Sequence, residues 1–384
     1  MYGTRPAACG IAPGRVEVLG NHTDYNGGAV LTAAIDRYMV AVGRPTAERR
    51  VRVHSLNLRA SGEIPLDDTA PDPRPSWTSY IKSVFAVLAG AGMRTGGMEI
   101  VDASDIPVGA GLSSSAAIEA AVARLVLQVY GGTVEPMALA KLLQRGENEY
   151  AGVQCGLLDQ FSSIHGRADC VLFLDCTTCE HEALPLGPRA PAIVVVDSRV
   201  SRKLGRDAPY NFRRGECEEA LACLRRELSR PLTGLCQASM EELDRFAGRI
   251  PEPALSRARH VVGEHERVLA AREALARGDV ERLGALMGES HASSGRYFEN
   301  SCDALDRLCD LAADQPGFLG GRLCGAGWGG CTVNFVAPGD VDSFVEGMNR
   351  AVVAWPGPRP QVHVCYASDG ATARTLELRK ANSE

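Results

Sequence analysis

The sequence predicts an α+β fold, and three observations carry that prediction. Short β-prone runs and helical runs interleave in both halves of the chain, as they do in mixed folds. Several early strands are separated by links of only hairpin length, which argues against one continuous parallel sheet. The chain has 384 residues, enough for two domains with a core in each.

The elements follow in order. "AVLTAAID", "YMVAVGR" and "RVRVHSLN" read as strands between polar or Gly/Pro punctuation, and "GEIPLDDTAPDPRPS" reads as a loop. "WTSYIKSVFAVLAGAG" has helical apolar spacing at Tyr80, Val84, Val87 and Leu88, with a Gly-rich end. After the strand "GMEIVDA" come the turn "SDIPVGAGLSSS" and a helix with Ile118, Val122, Leu125, Val126 and Val129 on one face. Pro136 opens a second helix. "DCVLFLDC" and "PAIVVVDS" are strands flanking the Pro-rich "ALPLGPRAP", where the domain boundary is expected, giving domains 1–190 and 191–384. From Asn211 to about Arg282 the pattern is mainly helical, and strands return in "GGCTVNFVA" and "QVHVCYAS". No internal repeat or low-complexity tract interrupts this order.

Composition bounds the function. With 45% hydrophobic and 23% charged residues the chain is an ordinary globular protein. A net charge of −6 gives no reason to expect nucleic acid or anionic membrane as a partner. The start lacks a secretory pattern, and no window approaches a membrane span. The thirteen cysteines are scattered and mostly set in apolar runs. Together these predict a reduced, cytoplasmic protein. Cys176 and Cys179, followed by Glu180-His181, lack the second ligand pair that zinc would need, so they read as thiols at a strand end.

The strongest local chemical signal is "PVGAGLSSSAA", Pro107 to Ala117. Gly109 and Gly111 let backbone approach a ligand, and Ser113, Ser114 and Ser115 sit at a helix start, where free N–H groups favour an anion. Plain N-capping by serine explains the same letters. The loop is not a Walker A motif, because no Lys-Ser/Thr pair follows the glycines.

Three separated motifs in a fixed order resolve that ambiguity: "GRVEVLGNHTDYNGG", "PVGAGLSSSAA" and "LCGAGWGGCTVNFV". With "WTSYIKSV", "GENEYAGVQCGLLDQF", "YNFRRGEC" and "ESHASSGRYFENSCDALD" between them, the chain resembles the galactokinase branch of the GHMP sugar and metabolite kinases over nearly its whole length. The resemblance implies a two-domain GHMP kinase fold, its N-terminal domain like ribosomal protein S5 domain 2 and its C-terminal domain ferredoxin-like. The active site is then expected in the cleft between them. It also implies ATP as co-substrate with Mg²⁺, and phosphorylation of α-D-galactose at C1. Oligomeric state is left open, a monomer being compatible.

Site residues carry over one by one. Gly109, Ala110, Gly111, Leu112, Ser113, Ser114 and Ser115 would cradle the triphosphate, and Ser115 with Glu147 would ligate Mg²⁺. Taken without the family, Glu147 reads as a solvated helix face. Asp159 matches the catalytic aspartate. It is flanked by Leu157, Leu158 and Phe161, a costly place for a charge without a partner, and Arg15 is the partner implied. Asn21, His22, Asp24, Gly156 and Tyr210 would form the sugar pocket, with Asp24 on the 3- and 4-hydroxyls and His22 near C6. The third motif, Gly325 to Gly330, would lie close to the active site.

Two positions depart from the family. Asn21 stands where Glu is usual, and Glu17 where Asn is common. Asn21 keeps a carbonyl acceptor but adds an NH₂ donor and loses the charge. That change would admit a C6 carboxylate, as in galacturonate, or a pentose, as in L-arabinose; these sugars and N-acetylgalactosamine are the alternative substrates. A carboxylate moved from 21 to 17 is the compensating possibility. A catalytically silent sugar sensor is the other alternative, and the intact Arg15, Ser115, Glu147 and Asp159 argue against it.

Overall fold

The computed structural model describes residues 5–68, 70–107, 109–188, 190–201 and 209–376. Strand β1 (Ala8–Leu19) pairs antiparallel with the long β2 (Ala29–Pro45), with register shifts at Pro13/Gly14 and Glu17/Leu19. The hairpin of β3 (Arg50–Ser55) and β4 (Ala60–Pro65) leads to helix α1 (Trp77–Gly90), whose start carries a capping box of Ser76 and Ser79. The stretch expected as a loop therefore begins inside a strand, because exposed β4 has a polar outer face and little apolar signal.

Strand β5 (Met98–Ser104) inserts between β2 and β3, antiparallel to the first and parallel to the second. Helices α2 (Ser114–Tyr130), α3 (Pro136–Gly146) and α4 (Leu158–His165) follow, with one π-helical turn, Glu147–Ala151, after α3. β6 (Cys170–Asp175) pairs with the start of β2, and β7 (His181–Pro185) pairs with β6. Cys176 and Cys179 belong to the turn between them, which Asp175 holds by accepting from the backbone N–H groups of Thr177 and Thr178.

β8 (Ala192–Asp197) begins a second sheet and is buried along its whole length, which is why "AIVVVD" reads as an unbroken apolar run. The helical stretch then divides into α5 (Pro209–Glu227), α6 (Met240–Arg245), α7 (Ala254–Ala276), α8 (Val280–Ser293) and α9 (Asp303–Ala313). Strands β9 (Phe318–Cys324) and β10 (Cys331–Val336), helix α10 (Val341–Ala351) and strand β11 (Gln361–Cys365) complete the second layer. The order in that sheet is β11-β8-β10-β9, antiparallel throughout. β12 (Thr372–Thr375) returns to the first sheet and pairs with β1 from Ala8↔Thr375 to Ile11↔Thr372. The α+β expectation thus holds, with only β3 and β5 parallel among the described strand pairs.

One large apolar core lies between the first sheet and α1 to α4 and continues beneath α7 and α8. A second fills the α5–α7 bundle, and a third joins the outer face of the second sheet to α9 and α10. The C-terminal end of β1, the start of α2 and the start of α4 converge on one cavity.

Candidate active site

The cavity has a volume of about 420 Å³ and is lined by residues from both halves of the chain. Arg15, on β1, is 5% exposed at its side chain and faces Asp159 in the first turn of α4. Its Nε and Nη2 donate to Asp159 Oδ1 at 2.8 and 2.6 Å, and its Nη1 donates to the carbonyl of Gly111 at 2.6 Å. Burial works to lower the Arg15 pKa, but Asp159, Cys324 and Glu17 together raise it above its ordinary value. The guanidinium is a fixed cation linking the aspartate to the glycine turn.

Plain N-capping does not describe that turn. Ser113 has φ +55° and makes no capping bond, and its hydroxyl is buried without a partner. Gly109 and Gly111 have φ of +79° and +81°, conformations a side chain resists. Ala110 and Leu112 are buried, and the Leu112 carbonyl accepts from the Arg15 N–H at 3.1 Å. The first N–H groups of α2, including those of Ser114 and Ser115, are left for an anion.

Glu147 is not a solvated helix residue. The π-helical turn it opens carries it inward, and it is 5% exposed. Burial and the nearby Asp159 push its carboxyl up to about 7, while hydrogen bonds from Ser115, Gln160 and Cys155 pull it back. Gln160 Nε2 bridges two carboxylates, reaching Glu147 Oε2 at 2.5 Å and Glu119 Oε2 at 3.1 Å. Glu119 is fully buried on α2, and its Oε1 is without a partner. Burial, with Glu147 adding, pushes Glu119 well above the carboxylate range. Two buried carboxylates beside a serine hydroxyl form an oxygen-donor set short of positive charge, which fits a hard divalent cation.

Across the cavity Asp24 lies over Gly156. A Cβ on Gly156 would come within 1.8 Å of Asp24 Oδ2, so only glycine allows this approach. Asp24 Oδ1 accepts from the Tyr25 N–H at 3.0 Å. Burial, with Glu17 and Asp159 adding, raises its carboxyl to about 7. His22 stacks on Phe298 at 4.2 Å, and its Nδ1 is 2.8 Å from the Tyr25 hydroxyl. Burial and His260 hold His22 well below the ordinary range, so the ring is neutral. Tyr210, at the start of α5, has its ring 5.4 Å from His22 and completes this wall.

Asn21 also lines the cavity, but its side-chain amide is tied up by protein groups. Its Nδ2 donates to Glu17 Oε1 at 3.0 Å and to the Gly325 carbonyl at 2.8 Å, and its Oδ1 accepts from Asn300 Nδ2 at 2.8 Å. The third motif therefore buttresses the first through backbone carbonyls, with Ala326 accepting from Asn300 at 3.0 Å. Glu264 on α7 accepts from the N–H groups of Gly20 and Asn21 at 3.0 and 3.2 Å. Arg322 on β9 donates to Glu17 Oε1 at 2.8 Å. Glu119, Gln160, Glu264, Asn300 and Arg322 escaped the sequence reading. The one signal was for Glu119, a lone carboxylate within an otherwise apolar helical stretch; Glu264 stands among His260, His265, Glu266 and Arg267 and gave none.

Met39, Leu58, Trp77, Tyr80 and Ile118 supply apolar and aromatic lining of the same cavity.

Comparison with known proteins shows the family. Residues 1–45 match the galactokinase galactose-binding signature, 79–167 the GHMP kinases N terminal domain and 271–354 the GHMP kinases C terminal domain. A galactokinase of Roseiflexus sp. (strain RS-1) is 40% identical over 96% of this chain and 93% of its own. One from Enterococcus faecalis is 36% identical over 97% and 96%. The structure of Lactococcus lactis galactokinase complexed with galactose superimposes with a TM-score of 0.91 at 33% identity, covering 97% of this chain and 96% of that one. A mevalonate kinase structure, at 18% identity and a TM-score of 0.66, shares the fold. The chain belongs to the galactokinases of the GHMP kinase family, with the two-domain fold that family has.

Proposed function

We propose that the protein transfers the γ-phosphoryl group of ATP to the anomeric hydroxyl of α-D-galactose, giving galactose 1-phosphate and ADP. The observation that carries this reading is the Arg15–Asp159 pair, set between the uncapped start of α2 and the polar wall of Asp24, His22 and Tyr210. Phosphoryl transfer asks the protein mainly for positioning and charge stabilisation. The turn from Gly109 to Ser115 holds the triphosphate on backbone N–H groups. The apolar and aromatic lining by Trp77 and Tyr80 takes the adenine.

Asp159 accepts a hydrogen bond from the anomeric O–H. As the bond from that oxygen to the γ-phosphorus forms and the bond to the β–γ bridging oxygen breaks, the proton passes to Asp159. Arg15 holds Asp159 in place through the hydrogen bonds to its Oδ1 and steadies the charge that develops on the transferring group. Asp24 and Tyr210 fix the sugar hydroxyls, and Gly156 gives the ring room beside Asp24. Ser115 and Glu147 would hold Mg²⁺, whose chemistry when bound is to neutralise charge on the β- and γ-phosphate oxygens. Glu119 and Gln160 set the position of Glu147.

Residues 1–190 and 191–384 are the two domains of this reading, with β12 crossing back to the first. No cysteine among the described residues forms a disulfide, which supports a reducing, cytoplasmic setting. No helix among the described residues is long and apolar enough to cross a membrane.

The test is ADP release by the purified protein with Mg·ATP and galactose, 2-deoxygalactose, glucose, N-acetylgalactosamine, galacturonate or L-arabinose. Galactose is expected to give the highest kcat/KM, and no turnover of any sugar would overturn the reading.

A further inference from the structure

We infer that Glu17, and not Asn21, reads the end of the sugar ring remote from the reacting oxygen, with Asn21 as its positioning residue. This rests on the reading of the cavity as a sugar site. Three independent observations support the assignment.

Asn21 has no hydrogen-bonding capacity to spare. A primary amide offers two N–H donors and one carbonyl oxygen. Both donors are spent on Glu17 and the Gly325 carbonyl, and the oxygen is engaged by Asn300 at 2.8 Å with Ser294 Oγ at 3.5 Å. Its backbone carbonyl meets His260 Nε2 at 3.2 Å. A sugar hydroxyl could reach this amide only by breaking a buried protein bond.

Glu17 is built the other way. It lines the same cavity as Asn21 and is likewise buried, but its bonds from Asn21 and Arg322 both fall on Oε1. None of the described residues donates to Oε2. A carboxylate oxygen accepts only, and a sugar hydroxyl is the matching donor.

Strand geometry sets which end of the sugar it meets. Arg15, Val16 and Glu17 pair in unbroken register with Ala34, Ala33 and Thr32, so Arg15 and Glu17 share one face of β1. Two residues along a strand span about 7 Å, comparable with the reach of a hexopyranose from its anomeric oxygen to its exocyclic carbon. With the anomeric oxygen at Asp159 beside Arg15, Glu17 faces the substituent on C5. A hydroxymethyl group there donates to Glu17. A carboxylate there meets a like charge, and a pentose leaves Oε2 unpaired. Negative charge removed at position 21 is thus restored one hydrogen bond away.

The test compares kcat/KM for galactose, L-arabinose and galacturonate in wild type and in Glu17→Gln, which keeps an acceptor for Arg322 and Asn21. The galactose-to-L-arabinose ratio is expected to fall about tenfold, and the galacturonate-to-galactose ratio to rise. The exchange Glu17→Asn with Asn21→Glu should recover part of the ratio lost in Glu17→Asn alone. A fall of equal factor for galactose and L-arabinose in Glu17→Gln would overturn the inference and leave Glu17 a structural residue. Independently of any variant, wild-type kcat/KM for 6-deoxygalactose is expected at least tenfold below that for galactose, and parity would also overturn it. If the wild type turns over no sugar at all, the reading of the cavity has failed and the inference falls with it.

Discussion

Gly156→Ala tests the sugar wall with the smallest possible perturbation. The backbone at Gly156 does not have a positive φ, so alanine fits the chain and the whole cost comes from contact. The added Cβ would lie 1.8 Å from Asp24 Oδ2 and 2.2 Å from its Cγ, whereas ordinary contact begins near 3.4 Å. The carboxylate must therefore retreat by about 1.6 Å, against the Tyr25 N–H that holds its other oxygen at 3.0 Å. A misplacement of about 1 Å in a positioning group costs about a hundredfold in rate. The overpacking itself costs about 1–3 kcal/mol of stability. The expectation is a fall of about a hundredfold in galactose kcat/KM, mostly through KM, with a lowered Tm. ADP-release kinetics and a thermal melt measure both. A folded Gly156→Ala protein with kcat/KM within threefold of wild type would refute the reasoning, because Asp24 could then move without consequence to the sugar.

Asp159→Asn should lower kcat by about 10² to 10⁴ while calorimetry shows galactose binding within a few-fold of wild type. Glu147→Gln should raise the Mg²⁺ concentration for half-maximal ADP release at least tenfold and leave the galactose KM nearly unchanged. The raised Asp24 carboxyl, near 7 in the sugar-free protein, predicts a pH dependence of binding. Sugar hydroxyls need the ionised form, so the galactose Kd should weaken about tenfold per unit below that pH and level off above it, with Asp24→Asn abolishing the slope. In the ligand-free protein the folded state holds this proton above the ordinary value of 3.8. Its contribution to stability is therefore full at low pH and lost as pH rises through that window.

The glycine turn was legible because its requirement is local: positive φ at two glycines next to a helix start. Its chemistry was less so, since a serine at a helix start usually caps it, and only the fold shows that Ser113 does not. Without the family resemblance Glu147 would have been left on a solvated helix face, for a related reason. It stands beside Asn148 and Glu149 at a helix end, and the π-helical turn that carries it inward leaves no mark in a pattern of 3.6. Arg15 and Asp159 are far apart in sequence, and only the family resemblance joined them. The possibility of a carboxylate moved from 21 to 17 was visible in the letters. Its partners Arg322 and Asn300 were not, because tertiary packing alone brings β9 and the segment after α8 against β1. Strand β12 was missed because "TART" at a sheet edge has too little apolar alternation to read.

That edge strand has a consequence for how the protein is made. β1, which carries Arg15 and Glu17, has β12 as its outer neighbour. During synthesis the strand bearing the reactive arginine emerges long before its partner, which lies far along the sequence, with Ala8 paired to Thr375. Until that partner is made, β1 presents unpaired backbone groups along an open flank, the arrangement that invites association between nascent chains. A stop codon before residue 372 would remove none of the groups assigned to chemistry, yet it would leave that flank permanently bare. Loss of activity in such a truncation would come through aggregation on the ribosome's output, and a chaperone that shields open strands would delay it.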